Sequence, residues 1–440
     1  MVPRRIWQAM AASALVAIGN VSALGAATQN AGWPQFDGPR RDNISTETGL
    51  SKQWPEGGPP LLWQAKDIGR GWSSVAIADG VIYTTGKLGK ELVITALDLS
   101  GKRLWQAKNG LATTKSPAGA RATPTIVDGK LYHMNGNGEI ACLDAKTGKP
   151  LWAVKLLERF GGANIMWAFS ESLLVDGDKL ICCPGGKKVS MAALNKDTGE
   201  TVWTCTGADE VPAYTSPIVF THKGLRQIVT TLASSAVGVA AETGKLLWKY
   251  PHKVAGGANC ATPIHDNGRV FLFGNWGRGA TMLKLNVEGD TCTVTEGWRT
   301  KDLDNLLGGL VLVDGYLYGQ ADGNHKKRHW ACLEASTGKT MYAAKGMLRM
   351  SGSVTYADGM LYLLGDFRKV ALVPATPKAF EVVSQFELPK QGRGSTWAHP
   401  VVCGGRLYIR HGQFLYAYDV RAGAETGGKA PPPQTTGTGK

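Results

Sequence analysis

Ten large side chains stand out because each lies at the start of an apolar run, among small residues. Small residues allow strand starts to crowd together, so the larger ones are expected to line a common pocket. A set of this kind combines aromatic faces that stack on flat ligands with guanidinium, carboxylate and amide groups that bind ions. The members are Trp72, Arg121, Trp167, Glu171, Tyr214, Asn259, Asn305, Arg349, Trp397 and His399.

Glu171 is the acidic member of this set. A carboxylate can take a proton from an alcohol, and carboxylate and amide oxygens hold Ca²⁺. The sequence therefore makes Glu171 a candidate catalytic base, and Glu171 with Asn259 a candidate pair of calcium ligands. The alternative, which we favour, is a salt bridge from Glu171 to Arg121 or Arg349 across the pocket.

The basic and aromatic members also have two interpretations each. Arg121 and Arg349 could grip a ligand carboxylate with two parallel hydrogen bonds, or they pair with Glu171. Trp167 and Trp397 could stack on a flat ligand, or they pack between neighbouring structural units. The set thus predicts a cofactor or ligand pocket without fixing its occupant.

The segments that position these residues form a repeat. A glycine, usually preceded by threonine, is followed four residues later by an aromatic residue. A fixed period of this kind indicates a repeat architecture. The copies are Gly101 with Trp105, Gly148 with Trp152, Gly199 with Trp203, Gly244 with Trp248 and, more weakly, Gly338 with Tyr342.

A second mark recurs with a similar period. Tight-turn pairs such as Asp-Gly, flanked by apolar β-formers, are strong hairpin signals. They end on glycines 44 to 49 positions apart, namely Gly80, Gly129, Gly177, Gly224, Gly268, Gly315, Gly359 and Gly405. Four short antiparallel strands per unit are typical of a propeller blade. The sequence therefore predicts an all-β fold, an eight-bladed β-propeller of four-stranded antiparallel blades.

The ring is expected to span residues 61–420 and to be closed by its N-terminal strand. The last repeat ends at Asp419 without a Trp-bearing strand, and Leu61-Leu62-Trp63 offers one at the other end of the chain. Closure of this kind removes exposed strand edges, which otherwise invite aggregation.

Three segments lie outside the predicted ring. Residues 1–26 resemble a secretory signal peptide, with Arg4 and Arg5 before a short apolar stretch. Residues 27–60, rich in Gly, Pro and Trp, are expected to wrap the ring as ordered coil, and residues 421–440 to form a disordered tail. The protein is therefore expected to be periplasmic or secreted, with no membrane span.

The formal net charge is +14. A basic exported protein favours an envelope protein, a peptide or an acidic glycan as partner. Nucleic acid is not expected, because its recognition needs a clustered basic face, and residues 325–329 form the one dense basic run. Asp322 and His325 are expected to be solvated at the surface, and the protein to be a monomer.

The eight cysteines show no haem-attachment or zinc-binding spacing. Cys142 and Cys332 hold the same place in their repeats, so each is expected to be a small buried residue. Cys182 and Cys183 fall in a predicted strand, whose neighbouring side chains face opposite sides of the sheet. One of these two thiols is therefore expected in the core.

The repeat resembles the pyrroloquinoline quinone (PQQ) type of propeller repeat over about residues 61–420. The element Trp-Pro-Gln-Phe-Asp-Gly-Pro at residues 33–39 resembles the start of exported PQQ-binding-like repeat proteins of planctomycete-type bacteria. That superfamily contains PQQ-dependent alcohol dehydrogenases. It also contains the barrel-assembly lipoprotein of the bacterial outer membrane, which binds no quinone.

The resemblance implies two functions. The first, which we favour, is a binding or interaction scaffold in the cell envelope, and the alternative is a PQQ- and calcium-dependent alcohol or polyol dehydrogenase of the polyvinyl-alcohol type. In such an enzyme Ca²⁺ polarises the quinone, while an aromatic floor and a positive side chain hold it. Relatives carry a His-His pair where this chain has Leu306-Leu307, which weakens the catalytic hypothesis. Adjacent cysteines lie over the quinone in some of these enzymes, but in a loop.

Overall fold

A computed structural model describes residues 32–115, 117–186, 188–322, 328–345 and 352–424. These residues form eight sheets, each with four antiparallel strands, around a central channel. The predicted all-β, eight-bladed propeller is therefore confirmed. The predicted signal peptide (residues 1–26), Arg349, His325 and most of the predicted tail lie outside the described residues.

Two strands, β1 (Ile44–Ser45) and β2 (Leu61–Ala65), precede the first four blades. Blade 1 contains β3 (Ala76–Ala78), β4 (Val81–Leu88), β5 (Glu91–Asp98) and β6 (Arg103–Leu111). Blade 2 contains β7 (Thr125–Val127), β8 (Lys130–Met134), β9 (Glu139–Asp144) and β10 (Pro150–Lys155), followed by helix α1 (Leu156–Phe160). Blade 3 contains β11 (Leu174–Asp176), β12 (Lys179–Cys182), β13 (Met191–Asn195) and β14 (Thr201–Cys205). Blade 4 contains β15 (Ile218–His222), β16 (Leu225–Thr231), β17 (Ser235–Ala240) and β18 (Leu246–Pro251).

The second half of the ring repeats this order, with 3₁₀ turns at Ala255–Gly257 and Asp366–Arg368. Blade 5 contains β19 (Ile264–Asp266), β20 (Arg269–Gly274), β21 (Gly279–Glu288) and β22 (Thr291–Thr300). Blade 6 contains β23 (Val311–Val313), β24 (Tyr316–Ala321), β25 (His329–Glu334) and β26 (Thr340–Ala344). Blade 7 contains β27 (Gly352–Ala357), β28 (Met360–Gly365), β29 (Lys369–Pro374) and β30 (Ser384–Glu387). Blade 8 contains β31 (Val401–Cys403), β32 (Arg406–His411) and β33 (Phe414–Asp419), together with β2.

The ring closes as predicted, because β2 is the outermost strand of blade 8. It pairs antiparallel with β33 and places Trp63 opposite Ala417. Arg410 of β32 reinforces the seam with blade 1 by donating to the Gly69 carbonyl (2.7 Å) and to Oγ1 of Thr84 (2.5 Å). Burial lowers the pKa of this guanidinium to about 9. The first and last blades are thus joined by both a strand and a buried side chain.

The repeated Trp and Gly residues form the contacts between neighbouring blades. Trp105 of blade 1 donates from Nε1 to the Ala145 carbonyl of blade 2 (3.1 Å). Its ring covers Gly148, where an added Cβ would lie 2.6 Å from the indole, so this site requires glycine. The same arrangement joins Trp63 to Gly101, Trp152 to Gly199, Trp203 to Gly244 and Trp298 to Gly338.

The hydrophobic core is divided into clusters between neighbouring blades. Ile181 of blade 3 and Ile228 of blade 4 belong to one cluster, and Tyr362 of blade 7 and Tyr416 of blade 8 belong to another. Each blade therefore depends on both neighbours for its buried surface, as expected for a closed repeat protein.

Residues 33–45, here called the plug segment, fill one end of the channel. Trp33 exchanges hydrogen bonds with Ile77 of β3 (2.8 and 2.7 Å), and the Pro34 carbonyl accepts from Ile126 of β7 (2.8 Å). Further along, β1 pairs in parallel with β27, so blade 7 has a fifth strand. The innermost strands leave backbone groups unpaired at the channel, and the plug segment satisfies some of them. The N-terminal segment therefore runs partly inside the ring that it was expected to wrap.

A candidate ligand pocket at the open end of the channel

The other end of the channel, where the innermost strands begin, holds a cavity of about 350 Å³. This size lies within the usual range of small-molecule sites, ~300–1,000 Å³. Its walls come from seven blades and from Phe36 at the tip of the plug segment. They include six of the predicted residues, namely Trp72, Arg121, Trp167, Tyr214, Trp397 and His399.

One wall is a fixed pair of indole rings. Trp72 and Trp397 stack with ring centroids 5.3 Å apart and an interplanar angle of 30°. Trp72 donates from Nε1 to the Ser395 carbonyl (3.1 Å), and Trp397 donates from Nε1 to Oδ2 of Asp366 (3.2 Å). Because both indole N–H groups are satisfied, this wall is rigid before any ligand arrives.

Two guanidinium groups flank the same wall. The Cζ atoms of Arg121 and Arg70 lie 5.9 and 5.7 Å from the Trp72 ring centroid, within cation–π range. Arg121 donates from Nη2 to the Pro117 carbonyl, while its buried Nη1 has no hydrogen-bond partner in the described part of the chain. Burial lowers the pKa of Arg121. No described carboxylate lies within 4.0 Å of either guanidinium, so this wall suits an anionic group.

The opposite wall is aromatic and aliphatic. Trp167 lies 5.6 Å from Tyr214 at 45° and 6.5 Å from Trp276 at 73° between ring centroids. The backbone N–H of Trp167 donates to the Tyr214 hydroxyl (3.2 Å), which fixes the two residues together. Leu306 and Leu307 complete this wall. Aromatic groups arranged in this way suit a flat or aromatic body.

The floor of the cavity joins the plug segment to blade 8. Nδ1 of His399 lies 2.7 Å from Oδ1 of Asp37, and Nε2 lies 3.2 Å from the Leu307 carbonyl. Burial by itself lowers the pKa of His399, but the Asp37 charge and the two hydrogen bonds raise it further than burial lowers it. Both ring nitrogens face acceptors, so a doubly protonated imidazole fits. His399 therefore holds the floor and leaves no ring nitrogen for a ligand.

Three predicted residues do not line the pocket. Glu171 accepts a hydrogen bond from the Cys183 backbone N–H (3.2 Å), and burial raises its pKa to about 7. Asn259 donates to the Leu232 and His252 carbonyls (2.8 and 3.1 Å).

Asn305 likewise turns inward, donating to the Gln320 carbonyl (3.1 Å) and accepting from the Gly308 N–H (2.6 Å). At Glu171 and Asn259 the neighbouring side chains face the cavity instead, the alternation expected of an extended chain. Ser170 and Ser172 line the pocket on either side of Glu171, and Cys260 lines it beside Asn259.

The favoured ion pair between Glu171 and Arg121 is not formed. The cation that acts on the Glu171 carboxyl is Arg41 of the plug segment, which is buried and donates to the Leu173 and Ser172 carbonyls (2.9 and 2.6 Å). Glu171 and Asn259 contact different backbone groups, Cys183 for the first and Leu232 and His252 for the second. Within the described ranges there is no cluster of three or more His, Cys, Asp or Glu residues that could hold a metal ion.

The adjacent cysteines and Asp322 are all buried. Cys182 and Cys183 are both free and buried, so neither is a reactive group at the pocket. The expectation that Asp322 is solvated is wrong, because it is fully buried and pairs with Arg328 at 3.0 Å. The pairing with Arg328 compensates for burial of the charge.

Several residues of the site were not predicted from the sequence. Phe36 and Asp37 reach the floor from the plug segment, while Trp276 and Cys260 come from blade 5. The motif at residues 33–39 marked the plug segment as distinctive, but nothing in the sequence indicated that it enters the channel. Trp276 follows the second strand of its blade, whereas the predicted residues lie before the first strand of each blade.

The fold and its channel pocket define a quinoprotein-like propeller. The family model described as "Outer membrane protein assembly factor BamB" matches residues 89–344, more than half of the chain. The chain belongs to this family.

The curated relatives match over short stretches. The outer membrane protein assembly factor BamB of Salmonella typhimurium is 30% identical over 139 residues, 31% of this chain and 32% of the relative. The quinoprotein alcohol dehydrogenase PedH of Pseudomonas putida is 28% identical over 143 residues, 30% of this chain and 23% of the relative. The matched stretch thus spans about a third or less of the length of these relatives.

Solved structures share the fold at low sequence identity. BamB from Moraxella catarrhalis superposes with a TM-score of 0.59 at 13% identity, over 82% of this chain and 99% of that chain. The quinohemoprotein alcohol dehydrogenase from Comamonas testosteroni superposes with a TM-score of 0.64 at 14% identity, over 92% of this chain and 82% of that chain. Among the residues with described structure, no helix has the length and hydropathy needed to cross a bilayer.

Proposed function

We propose that this protein is an exported binding scaffold of the cell envelope, which uses the open end of its channel to hold a protein, peptide or acidic glycan. The observation that carries the proposal is the composition of the pocket. Its described lining residues offer aromatic rings and a guanidinium without a single carboxylate. Such walls bind and orient a ligand, but they supply no general base.

The alternative, a PQQ- and calcium-dependent alcohol dehydrogenase, has one observation in its favour. An aromatic cavity with Arg121 on one wall resembles a site for a flat anionic cofactor. The described lining residues do not fit a calcium-bound quinone, however, because Ca²⁺ needs several oxygen ligands and the carboxyl of Glu171 turns away from the cavity. Leu306 and Leu307 occupy the place where a polar pair would be expected.

The family supports the same proposal. Several of its curated relatives are named as outer membrane protein assembly factors, which suits an envelope partner and a periplasmic location for this chain. The secretory signal predicted for residues 1–26 agrees with that location. We propose a monomer without a nucleic-acid partner, because the sequence has one short dense basic run, at residues 325–329.

A binding experiment with PQQ separates the two functions. Purified protein is heated with PQQ and CaCl₂ and, in parallel, with CaCl₂ alone, because a bound ligand stabilises the folded state by mass action. We expect the same melting temperature in both samples and no reduction of an electron-acceptor dye by alcohols. Stabilisation by PQQ together with alcohol-dependent dye reduction would show that the protein is a dehydrogenase.

A further inference from the structure

We infer that the open end of the channel docks a protein segment that carries an aromatic side chain next to a carboxylate. This inference rests on the proposed binding function and specifies the chemistry of the partner. Three separate features of the open end support it: an aromatic cavity, guanidinium groups without a described carboxylate in reach, and exposed apolar side chains on the same face of the propeller.

The cavity is suited to one aromatic side chain. Trp167, Tyr214 and Trp276 present rings at 45° and 73° to one another, a geometry in which an inserted ring meets both faces and edges. Leu306 and Leu307 add an aliphatic contact on the same side. Buried aromatic anchors in preformed pockets supply much of the affinity of protein–protein contacts.

The guanidinium groups favour an anion beside that ring. Arg121 and Arg70 both lie against Trp72, and neither has a carboxylate within ion-pair distance in the described part of the chain. Nη1 of Arg121 is buried without a hydrogen-bond partner among the described atoms, a costly arrangement unless a ligand supplies an acceptor. A carboxylate beside Arg121 would supply that acceptor and a counter-charge.

Exposed apolar residues on the open face of the propeller favour a polypeptide over a free small molecule. Leu111 at the end of β6, Met166 before Trp167, and Phe367 between β28 and β29 are 62%, 63% and 58% exposed. By the antiparallel order of the strands, all three lie on the face where the cavity opens. A ligand confined to the cavity would not cover them, whereas a partner chain would.

The turn that carries Phe367 adds to this argument. Phe367 and Arg368 adopt φ values of +63° and +71°, a conformation that large side chains rarely adopt. Such strain persists where the surrounding structure imposes it, and it is concentrated at binding and switch regions. Here the turn also contains Asp366, which holds Trp397 in place.

Fluorescence anisotropy with labelled, terminally blocked peptides tests the inference. The probes are Gly-Asp-Trp-Gly, the same peptide with Asn for Asp, and the same peptide with Ala for Trp. We expect the first peptide to bind, and each replacement to weaken binding roughly tenfold or more, as for loss of a charged hydrogen bond or an aromatic anchor. Added NaCl should weaken the first peptide more than the Asn peptide.

Protein variants locate the contact. Arg121→Gln and Arg70→Gln should each lower the affinity for the Asp-containing peptide roughly tenfold and leave the affinity for the Asn peptide unchanged. Arg103→Gln is the matched control, because Arg103 is exposed at the start of β6, at the opposite face of the propeller. Two further probes are a longer version of the first peptide with apolar residues on both sides, and indole-3-acetate, which has an indole ring and a carboxylate but no peptide backbone. Phe367→Ser and Met166→Ser should weaken binding of the longer peptide and leave binding of indole-3-acetate unchanged. Circular dichroism and thermal melting confirm that each variant is folded.

The outcomes separate this inference from the proposed function. Equal affinity for indole-3-acetate and for the longest peptide would show that the pocket takes a small organic anion, and the inference would be wrong. Absence of peptide binding below ~1 mM, with PQQ also inactive, would overturn the inference and leave a binding scaffold for another ligand. PQQ binding with dye reduction would overturn the proposed function itself.

Discussion

At the closed end of the channel, Arg41 of the plug segment has two carbonyl partners and Asp37 has an imidazole, whereas at the open end Arg121 has one carbonyl partner and a buried Nη1 without a described acceptor. Arg41 is buried and donates to two carbonyls, and Asp37 is paired with His399. Arg121 and Arg70 lie at the other end without a described carboxylate in reach. The contrast indicates that one end of the channel stabilises the ring and that the other is available for a ligand.

The largest expected effect comes from removing the closed end altogether. Deletion of residues 27–66 removes the plug segment and β2, so blade 8 loses its outermost strand and the innermost strands lose backbone partners. We expect loss of cooperative unfolding in a thermal melt followed by circular dichroism. Insertion of two glycines at the exposed turn after Gly289 serves as the control and should leave the melt nearly unchanged. A truncated protein with an unaltered melting temperature would contradict the role of the closed end.

Asp37→Asn should cause the next largest loss, about 3–5 kcal/mol, because it leaves His399 buried without its ion-pair partner. The pKa of His399 is raised in the folded state. The contribution of the protonated His399 to folding stability is therefore complete below the ordinary histidine pKa of ~6.5. This contribution is lost as the pH rises through the pKa of His399 in the folded state. Urea unfolding should show a larger difference between wild type and variant at pH 5.5 than at pH 9. An equal difference at both pH values would show that the ion pair contributes nothing.

Glu171→Gln tests the buried carboxyl behind the pocket. Burial raises the pKa of Glu171 from 4.5 to about 7, so the wild type loses about 3 kcal/mol of stability as the pH rises through this range. The variant cannot ionise, and we expect it to be more stable than wild type at pH 8 and equally stable at pH 4.5, as measured by urea unfolding. A variant that is less stable at pH 8 would indicate that the ionised carboxylate is stabilised by Arg41.

Arg121→Gln should have the smallest effect on the free energy of unfolding, within about 1 kcal/mol. Burial of the Arg121 guanidinium is unfavourable and no described anion compensates for it, so its removal costs little. Thermal melting compares Arg121→Gln with Arg103→Gln, the same substitution at an arginine that is exposed at the start of β6. A loss as large as that of Asp37→Asn would mean that both ends of the channel serve stability, and the contrast between them would disappear.

The sequence predicted the blades more completely than the pocket. The spacing of Gly148 and Trp152 reflects contacts that repeat in each unit, so a single chain contains several copies of the signal. The pocket residues occur once each, and their side-chain directions depend on strand register. Glu171 lies between Ser170 and Ser172, which face the cavity, and one residue of register decides which of them lines it.

The floor of the pocket could not be predicted for a different reason. Asp37 and His399 lie 362 positions apart. Neither lies in a motif that points to the other, and one of them comes from outside the repeats. The resemblance of residues 33–39 to a family motif indicated a distinctive segment, but only the three-dimensional structure shows that it enters the channel, with Phe36 at its tip.

The closure of blade 8 by the N-terminal strand β2 also sets the order in which the molecule can assemble. β2 is synthesised before the blades, but its partner β33 is the last strand of the chain. The ring cannot lock until synthesis is almost complete, and pairing over so great a separation is slow to nucleate. A nascent chain would therefore remain without its final seam until its last strand has been synthesised and released.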